Sequence, residues 1–355
     1  MMEFLPLLSS SIQSRRRPVL GQPPSHTPIA SLFPGWLILF VSLFFSPSLC
    51  AELFQFRDQN PLVLAYGLPL PSSNERPADG QWQGLIEYGL SNTLNIEGGS
   101  ADAPDYLLMD GETAVLDMQF LRGWGDKWAL GIHLPFIQHR GGQLDGFIQN
   151  YHDELGLPDG SRPGVSRDRI AFIVRHRGEE LLNLSEPRSG MGDLGLLLVY
   201  QWFNKEGSHQ SLYAKLKLPT GDAADLTGSG GVDYANWLAF EQRLAMNWTM
   251  SGYLGFALLG KGNILPTLQK QSAFFGGAGL EWFYSSRLAL RLQVDMHSGL
   301  YKETDFRFLN EALILNTGGT VALTDQLALD IAVGEDIFVG ASPDVSFNTA
   351  LRFQW

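Results

Sequence analysis

The chain ends with Val345-Ser-Phe-Asn-Thr-Ala-Leu-Arg-Phe-Gln-Trp355, in which large side chains alternate almost strictly with small or polar ones. Successive side chains of a β-strand point to opposite faces, so this period predicts a strand with two unlike sides. The same period recurs upstream, from Gly80 onward, in segments separated by turn residues. The apolar sets of the predicted strands occupy twelve segments: 82–90, 114–120, 128–136, 194–202, 212–218, 238–244, 248–258, 274–284, 288–296, 313–323, 327–333 and 345–355.

The connections between these segments alternate in length. The short ones are 122–127, 203–210, 245–247, 285–287 and 324–326. The longer ones are 95–110, 139–190, 219–232, 260–271, 299–311 and 339–344, the last being no longer than some short turns. Bacterial membrane β-barrels have short periplasmic turns and longer external loops, and an even strand count puts both ends on the short-turn side. A soluble sandwich has no reason to keep this parity.

Aromatic residues collect at the strand ends that face the short turns: Trp82, Phe120, Trp128, Trp202, Trp248, Trp282, Tyr284 and Trp355. Such girdles are typical of membrane interfaces. The last strand resembles the C-terminal signature by which outer-membrane barrels are recognised for assembly. We therefore predict an all-β transmembrane antiparallel up-and-down β-barrel of about 12 strands over residues 81–355. Its expected partners are outer-membrane lipid and the barrel-assembly machinery, which would read the strand that ends at Trp355.

A short apolar run, residues 36–45, follows basic residues and precedes Ser-Pro-Ser-Leu-Cys-Ala51. The run is too short to span a bilayer as a helix, and this layout predicts a secretory signal cleaved near Ala51. We assign residues 1–51 to the signal peptide and presequence. Cys50 also fits a lipidated cysteine, but Leu49 is a poor residue to precede one. Residues 52–80 are rich in Pro and Gly, which predicts a periplasmic or lumen-inserted lead rather than a strand.

Composition excludes several functional classes. Cys50 is the one cysteine of the sequence, so a chain processed at Ala51 has no disulfide and no Cys-based metal site. Residues 1–51 hold three arginines and one glutamate, and removing them leaves 22 basic and 36 acidic side chains, a charge of −14. Nucleic-acid binding is not expected at that balance. No cofactor is expected.

The strand faces opposite the apolar sets carry charges of both signs. Charges in an enclosed lumen are costly unless they are paired or hydrated. Three interpretations stay open: an ion-pair network that plugs the barrel, a packed polar interior, and a wet passage lined by charge. The predicted lumen-lining residues are Glu87, Asp117, Gln119, His133, Lys215, Lys217, Glu241, Arg243, Glu281, Arg291, Gln293, Asp295, His297, Asp330, Asn348 and Arg352.

The long external loop 139–190 contains one helix-like stretch. Phe147, Ile148, Tyr151 and Leu155 recur at helical spacing before Gly156-Leu-Pro158 ends the pattern. This spacing predicts a short amphipathic helix, which would either cover the barrel mouth as a lid or stabilise the loop by packing within it.

Enzyme motifs are weak in this sequence. His297 and Ser298 are adjacent on a predicted strand and point to opposite faces, so they cannot share a proton there. Asp295 and His297 share a face, which fits ordinary lumen lining. His139 and His152 do not have the spacing of a metal cage, and the Gly-rich run 227–231 lacks the Lys-Ser/Thr of a phosphate loop. We therefore predict no catalytic residue and no metal site.

Three motifs carry a family resemblance: Arg57-Asp-Gln-Asn-Pro-Leu62 with Gly67-Leu-Pro69, Tyr151-His-Asp-Glu-Leu-Gly-Leu-Pro158, and Lys217-Leu-Pro-Thr-Gly-Asp222 followed by Gly228-Ser-Gly-Gly231. With them, most of the chain resembles a family of uncharacterised Gram-negative outer-membrane proteins, catalogued as a domain of unknown function. The Lys-x-Pro-Thr-Gly-Asp element is also similar to one in barrels named for aromatic-degradation pathways and presumed to be transporters. The resemblance implies location and fold alone.

These observations favour a passive channel or transporter for an unidentified small molecule in the outer membrane. The alternative is a non-conducting structural or receptor barrel that acts through its external loops. An outer-membrane hydrolase is the least favoured of the three, and we expect the protein not to be an enzyme.

Overall fold

Fifteen β-strands make up nearly all regular structure in the computed structural model, which describes residues 52–71, 75–142, 169–302, 305–338 and 340–355. The predicted signal peptide lies outside the described residues. A short helix, α1 (Pro61–Leu64), and a 3₁₀ turn, Arg307–Leu309, complete the regular elements described. The strands are β1 Trp82–Glu97, β2 Tyr106–Trp124, β3 Trp128–Arg140, β4 Ala171–His176, β5 Glu179–Leu184, β6 Arg188–Met191, β7 Leu194–Lys205, β8 Ser208–Leu218, β9 Asp233–Ala245, β10 Trp248–Leu258, β11 Ser272–Phe283, β12 Leu288–His297, β13 Ala312–Ala322, β14 Leu327–Asp336 and β15 Val345–Gln354.

Twelve of these strands close into a ring, which confirms the predicted fold class and strand count. Each of β1–β3 and β7–β15 pairs antiparallel with its neighbours in chain order, β3 with β7 included. The seam joins β1 to β15, in register from Gln83 opposite Gln354 to Asn92 opposite Val345. All twelve correspond to strands predicted from the alternating pattern. Closure leaves no ring strand with an unpaired edge, which is the condition for a sheet to cross hydrocarbon.

The distribution of side chains in the ring is the reverse of that in a soluble protein, because apolar side chains are exposed on the outside and polar ones are buried inside. Leu254 and Leu292 are 70% and 51% exposed on the outer face, whereas the adjacent Tyr253 and Gln293 are buried inside. Exposed apolar surface costs about 25 cal/mol per Å² in water, so a continuous apolar outer face is stable only against hydrocarbon. The outer face therefore has the character of a lipid-facing surface.

Aromatic side chains mark the short-turn end of the ring. Trp82 stacks on Trp355 with ring centroids 5.9 Å apart, and Trp248 stacks on Trp282 at 6.1 Å. These pairs lie where the strands meet the turns, the position of the predicted interfacial girdle.

None of the helical segments in the described ranges is long and apolar enough to cross a membrane.

The connection between β3 and β7 contains strands that the sequence analysis missed. β4 and β5 form a hairpin whose first strand continues the sheet on β2, from Tyr106 to Asp110. Asp105, in the loop before β2, accepts a 2.8 Å hydrogen bond from the backbone N–H of Arg177 at the hairpin turn. This bond holds the pKa of Asp105 below its usual value. The predicted helix over Phe147, Ile148, Tyr151 and Leu155 lies outside the described residues.

β6 and β7 follow one another along β3 with a bulge between them. Met191 is opposite Phe136 and Gly195 is opposite His133. Between these two pairs β3 has two residues, whereas the β6–β7 segment has three. Gly192 donates its N–H to the carbonyl of Pro135 over 2.7 Å. A bulge re-aims the side chains beside it, and here it directs Asp193 to the inside of the ring.

Candidate functional site

Residues 52–71 form the first described part of the predicted lead, are called the lead from here on, and lie among the inward-facing side chains of the ring. Gln293 of β12 accepts the N–H of Phe54 over 2.7 Å and donates its own side-chain amide to the carbonyl of Phe54 over 3.0 Å. Leu53 and Phe54 have no exposed surface. These contacts hold Phe54 against the inward face of β12.

The lead and residues 75–80 run along the lumen from the short-turn end to the opposite end and back. Its first described residue, Glu52, accepts a hydrogen bond from Gln83 at the short-turn end. Asn60 donates to the carbonyls of Phe308 and Ala341, both in long connections at the opposite end. The chain then returns, and Gly80 bonds the carbonyl of Gly123 beside a short turn. Both ends of the segment thus lie at the same end of the barrel.

The turn at the top of this path is built locally. The side chain of Asn60 accepts the N–H of Leu62 over 2.9 Å, and Pro61 occupies the first helical position of α1. Tyr301 donates its hydroxyl to the carbonyl of Leu62 over 2.7 Å, and the ring of Tyr66 packs edge-on against Tyr301. The Arg-Asp-Gln-Asn-Pro-Leu motif thus encodes the tip of the lead.

Asp117 of β2 is the centre of the first charge cluster. Arg57 of the lead binds it with two hydrogen bonds of 2.9 and 3.0 Å, and His133 of β3 approaches the same carboxylate at 2.8 Å. Arg57 also donates to the carbonyl of Leu64 over 3.1 Å. Glu87 is opposite Asp117 in the sheet and is buried. A bidentate Arg–carboxylate pair fixes the lead against the wall both geometrically and electrostatically.

A second cluster lies near the short-turn end. Arg352 of β15 binds Asp330 of β14 over 2.7 Å and also pairs with Glu52 of the lead. Arg291 pairs with Glu281 of β11, and its guanidinium lies 4.5 Å from the centre of the Phe54 ring. A guanidinium over a ring face is attracted by the ring quadrupole, so this contact also anchors the start of the lead.

Lys217 of β8 lies at the centre of a third group, the lysine cluster, which consists of Lys217, Asp193, Ser229 and Asp233. Its ammonium contacts Asp193, the hydroxyl of Ser229 and, over 3.0 Å, Asp233. It also donates to the carbonyl of Ala65 in the lead over 3.2 Å. Asp233 in turn accepts the N–H of Gly67 over 2.8 Å.

The family motif around Lys217 therefore builds a clamp on the lead. Asp193 accepts the N–H groups of Gly221 and Ser229, which draws the Thr-Gly-Asp turn and the Gly-Ser-Gly-Gly run to the same carboxylate. A Cβ at Gly67 would lie 2.7 Å from the Cβ of Asp233, closer than real Cβ atoms approach. Sequence reasoning found Lys217 and the glycine run but missed Asp193, which reaches the cluster from the bulge between β6 and β7, and Asp233, which reaches it from β9.

Asp295 and His297 share the inward face, but they are not paired. Asp295 accepts hydrogen bonds from Tyr253, Gln293 and Asn316. His297 instead binds Asp58 of the lead through Nε2 at 2.8 Å. Its Nδ1 contacts the carbonyl of Ser298, whose hydroxyl accepts the N–H of Phe274. This arrangement is not that of a nucleophile and its base.

One side of the lumen is aromatic rather than charged, which the sequence analysis did not anticipate. Tyr213 of β8 stacks on Trp237 of β9 with centroids 5.0 Å apart, and Trp237 meets Phe275 of β11 edge-on at 6.2 Å. All three are buried among leucines of the lead. Their positions belong to the inward half of the alternating pattern, so this period was the one sequence feature that indicated their inward orientation.

The structure buries most of the predicted lumen-lining side chains inside the ring. Those that are less than a tenth exposed are Glu87, Asp117, His133, Lys215, Lys217, Glu241, Glu281, Arg291, Gln293, Asp295, His297, Asp330, Asn348 and Arg352. Gln119 is partly exposed and contacts Gln55 of the lead. Arg243 is exposed beside a short turn and does not join the buried set. No three His, Cys, Asp or Glu residues in the described ranges are grouped to hold a metal ion.

The contacts of Gln293 can be tested by substitution. We expect Gln293→Met, which keeps the chain length but removes donor and acceptor, to cost about 1 kcal/mol per lost hydrogen bond. Hydrogen exchange of the Phe54 amide in lipid nanodiscs should accelerate accordingly. Gln242→Met, at an exposed position of β9, is the matched control. Unchanged exchange at Phe54 would show that Gln293 does not hold the lead.

Comparison with known proteins places this barrel in a family. The model of a protein family of unknown function, DUF3187, matches residues 44–355. The chain belongs to the DUF3187 family. This confirms the resemblance drawn from the sequence motifs. No curated protein matches the DUF3187 chain.

Solved structures of outer-membrane proteins are similar to this DUF3187 protein to different degrees. The COG4313 outer membrane channel from Pseudomonas putida F1 superposes with a TM-score of 0.54 at 13% identity, covering 80% of this chain and 99% of the other. The NanC porin superposes at 0.43 with 7% identity, covering 76% and 98%. The toluene transporter TodX of P. putida superposes at 0.36 with 9% identity, covering 78% and 90%. The first of these likenesses shows that the DUF3187 barrel has an outer-membrane channel fold.

Proposed function

We propose that this DUF3187 protein is an outer-membrane diffusion channel for a small molecule and that its lead holds it closed in the state described here. The observation that carries the proposal is the way the wall charges are satisfied. Asp117, His297 and Arg352 each bind a side chain of the lead rather than only one another. Displacing the lead therefore leaves a charged inner wall that water can solvate.

The chemistry of the contact between lead and wall supports this proposal. A permanent apolar core would cost much to open, because its surface would have to be hydrated. Part of the contact is apolar, because Leu53, Leu62 and Leu68 of the lead pack with the aromatic side of the lumen. Much of the rest consists of ion pairs and of hydrogen bonds such as the 2.6 Å bond from Gln59 to Asn348. Water can replace such bonds at small net cost, about 0.5–1.5 kcal/mol each. The polar part of the contact thus allows release, whereas the apolar part must be hydrated when the lead leaves.

The alternative, a non-conducting receptor barrel, draws on the β4–β5 hairpin. This hairpin extends β2 beyond the ring and gives the external end an ordered projection. A barrel of this kind would keep its activity with the lead fixed in place and lose it when the hairpin is removed.

A redox lock on the lead tests the channel directly. In a Cys50→Ser background, Gly67→Cys with Asp233→Cys places two thiols where the lead meets the lysine cluster, and a shift of the lead by about 1 Å gives the Cβ separation of a disulfide. We expect the oxidised protein not to conduct in planar lipid bilayers and the reduced protein to conduct, because a disulfide, unlike the hydrogen bonds and ion pairs of the lead, cannot be replaced by water.

The single variants Gly67→Cys and Asp233→Cys control for the oxidant and for the lost carboxylate. Equal conductance in both redox states would contradict closure by the lead. Absence of conductance in the reduced protein and in the wild type would contradict the channel and favour the receptor barrel.

A further inference from the structure

Carboxylates outnumber cationic side chains on the inner wall. Apart from histidines and the lead, the buried charged groups that line the lumen in the described residues are eight carboxylates and four lysines or arginines. The carboxylates are Glu87, Asp117, Asp193, Asp233, Glu241, Glu281, Asp295 and Asp330, and the cations are Lys215, Lys217, Arg291 and Arg352. Two further carboxylates, Asp110 and Glu112, pair with Arg169 and Arg140 near the external rim.

Three of the four wall cations already have carboxylate partners. Lys217 serves two aspartates, Arg291 pairs with Glu281, and Arg352 pairs with Asp330. The fourth, Lys215, donates to the carbonyl of Leu68 in the lead over 3.4 Å. The excess of acidic groups is therefore not neutralised by the wall itself.

Glu87, Glu241 and Asp295 carry this excess. No Lys or Arg side chain in the described ranges forms an ion pair with any of the three, and Asp295 has only neutral donors. Glu241 is 8% exposed, and its charged neighbours are three carboxylates, Glu52, Glu281 and Glu75, and one cation, Arg291, which is already paired with Glu281. A buried carboxylate without a counter-charge costs several kcal/mol, so such groups mark places where a mobile cation can supply the charge.

The aromatic side of the lumen brings no compensating charge. Displacing the lead removes one cation, Arg57, and two carboxylates, Glu52 and Asp58, so an emptied lumen stays net acidic. A passage with low-dielectric walls and one dominant sign focuses its field and concentrates counter-ions, typically by tenfold or more.

We infer that the opened lumen admits small cations in preference to anions, with Glu87, Glu241 and Asp295 as the residues that set this preference. The inference rests on the proposed channel function and names its substrate class. The same carboxylates would repel anionic solutes from the lumen.

Reversal potentials under a KCl gradient test the inference. The full-length wild type and the reduced Gly67→Cys/Asp233→Cys protein are recorded in planar bilayers. We expect potassium to be favoured over chloride by roughly tenfold. In Glu87→Gln/Glu241→Gln/Asp295→Asn, the reversal potential should move most of the way to zero.

The matched control is Glu179→Gln/Glu180→Gln/Glu186→Gln, which removes the same charge from exposed positions on and after β5 and should leave the reversal potential unchanged. A conducting wild type with equal or greater chloride permeability would overturn the cation preference and leave the channel function standing. Silence of the wild type and of the reduced protein would overturn both. An equal shift in control and lumen variants would overturn the assignment to these three residues. Should the lumen variant fail to fold, the wild-type reversal potential alone decides the preference.

Discussion

Replacing Lys217 by methionine is expected to lower the free energy of unfolding by about 3–5 kcal/mol. The substitution leaves Asp193 and Asp233 buried without their shared counter-charge, and it removes the bond to the carbonyl of Ala65. Breaking a buried ion pair from one side is costly because the remaining charge stays desolvated. Urea unfolding from phospholipid vesicles, followed by tryptophan fluorescence, measures the loss.

Two further variants separate charge from packing at this cluster. Lys127→Met, at an exposed short turn, should change stability by no more than about 0.5 kcal/mol. Lys217→Met combined with Asp193→Asn and Asp233→Asn should recover much of the loss, since no buried charge then lacks a partner. A triple variant as unstable as Lys217→Met would show that Lys217 stabilises the barrel through the packing of its side chain and not through its charge.

Leu254→Arg should destabilise the folded barrel in lipid by about 2–4 kcal/mol. Leu254 is 70% exposed on the outer face of β10, six residues above Trp248 of the aromatic girdle. At about 3.3 Å per residue and a tilt near 40°, this places it close to the bilayer midplane. An arginine there must lose its water or deform the bilayer.

Met246→Arg provides the comparison, because Met246 is 90% exposed in the short turn between β9 and β10. Near the interface the same charge costs about 0–1 kcal/mol. Equal and small costs at both positions would mean that water, and not hydrocarbon, covers the outer face.

The ring was predictable from sequence because each of its strands faces two different surroundings. Hydrocarbon outside and a crowded polar lumen inside impose a period of two, and Leu288–Met296 shows it without interruption. β4, β5 and β6 lie in a connection where no such contrast is imposed, so their short segments carry no comparable period. The alternating pattern therefore predicts membrane-facing strands better than strands in loops.

The lead and its attachment were less accessible to sequence reasoning. Its contacts join residues far apart in the chain, as with Gln59 and Asn348 or Asp58 and His297. No local signal records such pairs, since each partner alone looks like a polar residue in a loop or on an inner face. The Lys217 motif was visible, but the bulge that turns Asp193 inward depends on the partner strand and Pro135.

The return path of residues 52–71 and 75–80 decides what kind of motion could empty the barrel. Glu52 and Gly80 both lie at the short-turn end of the ring. The inserted segment therefore enters and leaves the lumen at the same end and does not pass through the ring from one end to the other. Neither end of this segment has to pass through the ring for the segment to withdraw. Retraction toward that side is therefore topologically free, and every backbone ladder from β1 to β15 can stay closed while it happens.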